Sequence, residues 1–120
     1  MKFYSQYQQD QFLWESFFSD KKNGFFVEVG ADDGLRHSNS AFFEKHLDWK
    51  GICVEPRPSI FEKLCANRDC FCENVAISNE MQTEIKFLEI FGYGRQLKWS
   101  GFKYVSFGQS SQIVSKSSIY

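Results

Sequence analysis

Phe25-Phe26-Val27-Glu28-Val29-Gly30-Ala31-Asp32-Asp33-Gly34 reads as a buried strand that runs straight into a tight acidic turn. Bulky and β-branched residues stop abruptly at two glycines spaced four apart, and glycine supplies the backbone conformations a turn of this kind needs. Open α/β sheets bind ligands outside the carboxyl ends of their strands. A strand closed by a glycine turn and followed by a helix is therefore where a nucleotide-like ligand approaches the backbone. The charges narrow the class. A Gly-x-Gly-x-x-Gly loop offers bare amides to a pyrophosphate, whereas Asp32 and Asp33 place carboxylates where that anion would sit. The turn suits a ligand with cationic or hydroxyl-rich parts and disfavours a nicotinamide-dependent oxidoreductase. The competing reading is a plain strand-to-loop junction with solvated aspartates.

Outward from this stretch the periodicity alternates between helix and strand. Before it, Leu13, Trp14, Phe17 and Phe18 recur at helical spacing, Ser5 with Gln8 offers a capping box, and Asp20 to Gly24 breaks the helix. After it, Leu35 to Ser38 is a short connection, and Ser38 or Ser40 caps a helix carrying Ala41, Phe42, Phe43 and Leu47 that ends near Asp48. Gly51 to Glu55 is a second buried strand that stops on a carboxylate. Pro56 and Pro58 forbid its continuation, and Pro58 opens a third helix carrying Ile60, Phe61, Leu64 and Cys65, ended by Asn67. Cys70 to Val75 is a third strand leading into a small polar loop, Ala76 to Asn79. This order predicts a parallel sheet built by crossovers, with the Glu28 to Gly34 turn, Glu55 and Asn74 to Ala76 on one rim. Beyond Asn79, Thr83 to Ile90 and Lys103 to Phe107 read as an antiparallel pair around a glycine-aromatic loop, Phe91 to Arg95, with a further break at Gly101. The serine-rich tail from Gly108 has little to bury.

With 120 residues, one small domain is the limit, and fourteen phenylalanines argue for a packed core. The net charge of −1, with no basic stripe, gives no support to nucleic-acid binding. Cys53, Cys65, Cys70 and Cys72 lack the spacing of a zinc site, and His37 and His46 add none, so reduced thiols and no metal are expected. The start lacks a signal-peptide core and no run reaches membrane-spanning length, which makes a cytoplasmic setting the default and a membrane partner unexpected.

Several of these segments together resemble the FkbM family of S-adenosylmethionine-dependent methyltransferases. The matching parts are Tyr4-Ser5-Gln6 with Gln9-Asp10, Phe26 to Ala31 with Asp33-Gly34, Ser38-Asn39, the Phe43-Glu44 helix, Trp49-Lys50-Gly51 with Glu55-Pro56 and Pro58, and Asn74 with Ala76-Ile77-Ser78. They occur in order over about residues 3 to 90. The resemblance implies a partial Rossmann-like class I methyltransferase fold, an α/β architecture with a three-stranded parallel core, flanking helices and a C-terminal β-hairpin-like extension. It divides the chain into an N-terminal helix region (1–22), a cofactor-binding core (23–79) and a strand and loop extension (80–120).

By the same resemblance S-adenosyl-L-methionine is the cofactor. Glu28 faces its amino end, Gly30 and Gly34 let the backbone approach, Glu55 accepts from both ribose hydroxyls, and Asn74 to Ala76 lie by the adenine. Asp33 belongs to the motif, while Asp32 departs from the glycine of wider methyltransferases. The implied reaction is O-methylation of a hydroxyl on a sugar or small molecule, and no residue is assigned as a catalytic base. Family members continue into a fourth strand beside the first. The resemblance therefore implies a shortened domain with an uncovered sheet edge, open to self-association or a partner chain, and the rival function is a catalytically incomplete remnant or interaction module.

Overall fold

The computed structural model describes residues 1–79 in full, together with the backbones of the strands Ile85–Phe91, Gln96–Phe102 and Tyr104–Ser106. The first helix, α1, spans Gln9–Leu13 and continues as a π-helical turn, Trp14–Phe18. It starts later than a Ser5–Gln8 capping box requires, because Gln8 adopts a left-handed conformation with φ of 62°. The reciprocal pair is Ser5 with Asp10 instead. Asp10 is fully buried, and its carboxylate accepts the Tyr4 and Ser5 backbone N–H groups at 2.6 and 3.2 Å and the Ser5 hydroxyl at 2.6 Å. The i→i+5 bonding of the π turn also shifts the expected apolar stripe. Leu13, Trp14 and Phe18 reach the core, whereas Phe17 is left exposed.

Three strands, β1 (Phe25–Val29), β2 (Lys50–Val54) and β3 (Phe71–Glu73), form a parallel sheet in the order β1-β2-β3. Their connections carry α2 (Ala41–Leu47) and α3 (Pro58–Asn67), so the chain forms a small α/β domain with a three-stranded parallel sheet flanked by helices. Local sequence accounts for both helices. Ser38, rather than the N-cap residue Ser40, satisfies the start of α2, its hydroxyl accepting the Ala41 N–H at 3.0 Å. Asp48 ends the helix in a left-handed conformation. Pro58 sits in the first turn of α3, where its missing N–H costs nothing.

The register places Phe26, Glu28, Gly51, Cys53 and Cys72 on one face of the sheet. That face meets the core. Phe42, Phe43, Leu47 and Trp49 form one buried cluster, joined by Phe3, Trp14 and Phe18, and Ala31, Cys53 and Leu64 form a second, with Phe26 touching both. Ring pairs such as Phe43–Trp49, with centroids 4.9 Å apart, and Phe18–Trp49, at 5.2 Å, absorb much of the aromatic content. On the opposite face Phe25, Val27, Val29 and Phe71 stand 63, 61, 59 and 77% exposed. Parallel sheets are normally covered on both sides, so this bare apolar face is a property of the domain to be accounted for.

Four expectations for the second half are corrected. Ala76–Ser78, read as a polar loop, is a strand, β4, and the third core strand ends at Glu73 rather than Val75. Ile85–Phe91 (β5) does lie in an antiparallel pair, but its partner is Gln96–Phe102 (β6), with Gly101 opposite Lys86 inside the ladder instead of breaking it. Tyr104–Ser106 (β7) pairs in parallel with β4. The β4 error has a physical cause, since a three-residue strand whose partner is distant in sequence leaves no local periodicity. Residues 92–95 of the glycine-aromatic loop and the tail from Gly108 lie outside the described residues. No helix among the described residues is long and apolar enough to cross a membrane.

Candidate functional site

At the carboxyl end of the sheet the turn after β1 is bound to the end of β2. The N–H groups of Gly30 and Ala31 both donate to the Val54 carbonyl, at 2.8 and 3.0 Å, and the Asp32 N–H donates to Oε2 of Glu55 at 3.0 Å. Asp32 holds a left-handed φ of 52°, which aspartate tolerates better than most residues. The two glycines of the turn do different work. Gly34, at φ of 83°, has its Cβ direction filled by its own fold, since a methyl there would lie 2.7 Å from Leu64 Cδ1 and 2.6 Å from Arg68 Cγ. Gly30, at φ of 72°, faces open space with nothing within 4 Å. Gly30 alone therefore leaves bare backbone accessible at the rim.

Glu55 is 2% exposed just past β2, where its own N–H donates to the Glu73 carbonyl at 3.1 Å. Its Oε1 accepts the Arg57 N–H at 3.0 Å and the Arg57 Nε–H at 2.8 Å. The same guanidinium reaches Asp32 Oδ1 with Nη2 at 2.9 Å, and Arg36 adds a longer contact to Asp32 at 3.4 Å. The hydrogen bond that Arg57 donates to Glu55, assisted by the nearby Asp32, holds Arg57 above the ordinary arginine range despite its partial burial. Asn74 locks the backbone beneath, its amide donating to the Glu55 and Pro56 carbonyls at 2.8 and 3.0 Å. Ala76 lies buried at the start of β4.

Asp33 points away from this group and caps the following turn, Oδ1 accepting the Leu35 and Arg36 N–H groups at 2.9 and 2.7 Å. Slight burial raises its affinity for a proton, but those two N–H donors and the Arg36 charge outweigh it and hold the carboxyl below its usual range. Asn67, which ends α3, donates to the Asp33 carbonyl at 2.8 Å.

Glu28 is spent internally. Its carboxylate accepts the Ser38 hydroxyl at 2.7 Å, the Asn39 N–H at 2.8 Å, the Ser40 hydroxyl, and Arg68 Nη1 at 3.4 Å. Arg68, whose side chain is 0% exposed, also donates to the Gly34 carbonyl, Ser38, Ser40 and Glu44. It is the hub that fixes the whole connection from β1 to α2. Sequence reasoning missed it because a cation just past the end of a helix reads as a solvated side chain.

A cleft of about 330 Å3 opens between β1, the N-terminal helix and α2, lined by Leu13, Phe26, Glu28, Gly30, Asn39 and Trp49 among others. The expected site residues thus divide. Glu28 and Gly30 line the cleft; Asp32, Glu55 and Asn74 form a hydrogen-bonded group at the end of β2, outside the cleft lining; Asp33 and Gly34 face α3. Burial pushes the Cys53 thiol up and the Cys72 thiol up to about 12, so both stay protonated at neutral pH. Among the described residues no group of three or more histidine, cysteine or acidic side chains is arranged to hold a metal. Comparison with family models, curated proteins and solved structures found no match.

Proposed function

We propose that the carboxyl-end rim binds S-adenosylmethionine and that the protein is a methyltransferase of FkbM type, acting on a hydroxyl of a sugar or small molecule within a Rossmann-like fold. The observation that carries this reading is the buried Glu55 carboxylate at the end of β2, tied to the turn after β1 beside the open backbone of Gly30. A carboxylate with two acceptor oxygens suits a ribose diol, and a glycine without Cβ neighbours suits close approach of a ligand to the chain. A ligand lying across Gly30 extends from Glu55 into the cleft, where Asn39 supplies a polar group among aromatic walls.

When bound, the cofactor supplies a methyl carbon already activated by its sulfonium, so the residues of this chain bind, orient and exclude water. Glu55 and Asp32 hold the diol and Asn74 keeps the strand end rigid. Titration with S-adenosylhomocysteine by calorimetry tests the reading. Saturable binding that is lost in Glu55→Ala is expected, and a folded protein that takes up no ligand overturns it.

A second reading is favoured by one observation, the exposed Phe25, Val27 and Val29 of β1, which among the described residues is an edge strand. On it the chain is an interaction module that keeps the cofactor scaffold and pairs with itself or a partner chain. Sedimentation over a concentration series without cofactor separates the two.

A further inference from the structure

We infer that Arg57 closes the diol site as an internal stand-in for the ligand, and that ligand binding at Glu55 displaces its guanidinium. The inference rests on the reading of the rim as a donor-binding site and adds the group that competes for it. Glu55 has two oxygens. Oε1 is filled by the Arg57 N–H and Nε–H, and Oε2 already accepts the Asp32 N–H. A carboxylate accepts about four hydrogen bonds in all, so only one position is left, and the side chain is 3% exposed beneath Arg57. Two ribose hydroxyls therefore cannot engage Glu55 while the Arg57 Nε–H remains.

The chain is built so that the side chain of Arg57 can leave without its backbone. The Arg57 N–H stays on Glu55, and its carbonyl accepts the Ile60 and Phe61 N–H groups at 3.1 and 2.8 Å as the N-cap of α3, with Pro58 next in line. The Arg57 side chain is 35% exposed and held at its tip by Asp32, whose side chain is 27% exposed. Rotation toward solvent frees one lone pair on each of Glu55 and Asp32, two acceptors tied to the turn that carries open Gly30. The exchange is chemically like for like, since a planar set of N–H donors is replaced by hydroxyl donors. It also sets a threshold, because a ligand without a diol recovers nothing for breaking two charge-assisted hydrogen bonds.

The test uses adenosine, 2′,3′-dideoxyadenosine and S-adenosylhomocysteine against the wild-type protein, Arg57→Ala and Arg57→Gln, with affinities from calorimetry. Adenosine and S-adenosylhomocysteine should bind both variants at least about tenfold more tightly than wild type, since the guanidinium with its two charge-assisted hydrogen bonds is gone. Dideoxyadenosine should gain nothing. On the wild-type protein, the Arg57 Nε–H resonance should move to the position of a solvated arginine at saturation with S-adenosylhomocysteine, a readout that stands even where both variants misfold. Binding by wild type with equal or weaker affinity in the variants, or an unmoved Nε–H resonance at saturation, overturns the displacement and leaves the donor site standing. Absence of binding by all three folded proteins overturns both.

Discussion

Arg68 and Glu28, forty residues apart in sequence, meet as a buried pair with Nη1 3.4 Å from Oε2, beneath the turn that leads to the candidate site. The guanidinium spends its remaining donors on Glu44, Ser38, Ser40 and the Gly34 carbonyl, so five polar groups depend on one side chain. Removing it in Arg68→Ala leaves two carboxylates in poor solvent. The expected cost is about 3–5 kcal/mol, read as a lowered urea midpoint. Arg68→Lys should recover little, because a point charge cannot replace a planar fork of donors. A lysine variant as stable as wild type would show that the fork geometry is irrelevant.

Glu55→Gln isolates the charge at the rim while keeping shape. The amide retains one acceptor oxygen, and its NH2 must then face either the Asp32 N–H or the Arg57 donors. A buried donor against a donor costs about 1–3 kcal/mol. Urea unfolding measures that loss, and two-dimensional NMR should place the largest shifts at Asp32 and Arg57. Unchanged stability would mean that the carboxylate is not the tie between the turn and β2.

The strand, turn, helix and strand from Phe25 to Val54 were legible in the sequence because each depends on residues close in the chain. Apolar runs gave β1 and β2, serine opened α2, and Pro58 opened α3. The meeting of Glu55 with the Asp32 turn was legible too, since parallel strands of similar length end on one rim. What escaped is non-local in all but one case, the glycine of β6. β4 is three residues whose partner β7 follows β5 and β6, and β6 contains a glycine that reads as a break. Arg68 escaped because its burial exists only once β1, α2 and the end of α3 converge, and Arg57 because two acids on different segments capture it.

Asp33 provides a pH signature. Its folded-state pKa lies below the ordinary 3.8 because two backbone N–H groups and Arg36 favour the charged form. A depressed acid contributes stability that is fully present above the unfolded value and is lost as pH falls through the folded one. Asp33→Asn mimics the protonated state. The stability gap between wild type and this variant should therefore hold from neutrality to about pH 4 and close below it, followed by thermal unfolding across pH. The Asp33 carboxyl resonance should titrate below 3.8. A gap that persists unchanged at the lowest pH would assign the cap to shape alone.

The exposed sheet face makes the last prediction. Phe71 and Val27 lie side by side through Ile52 in register, and both are more than half exposed, so neither stabilises the core by burial. Replacing them by charge, in Val27→Lys with Phe71→Glu, should leave the urea midpoint of the monomer nearly unchanged, as surface substitutions usually do. The same double variant should bind less of a hydrophobic dye and lose whatever concentration-dependent association the wild type shows in sedimentation, because an apolar patch of this kind drives contact in water. Core substitution is the contrast: Phe42→Ala, at a fully buried site, should cost about 3–5 kcal/mol. If the double variant unfolds as readily as Phe42→Ala, the face is covered in solution and its residues belong to the core; if it stays folded and still associates, contact runs through the β1 edge instead.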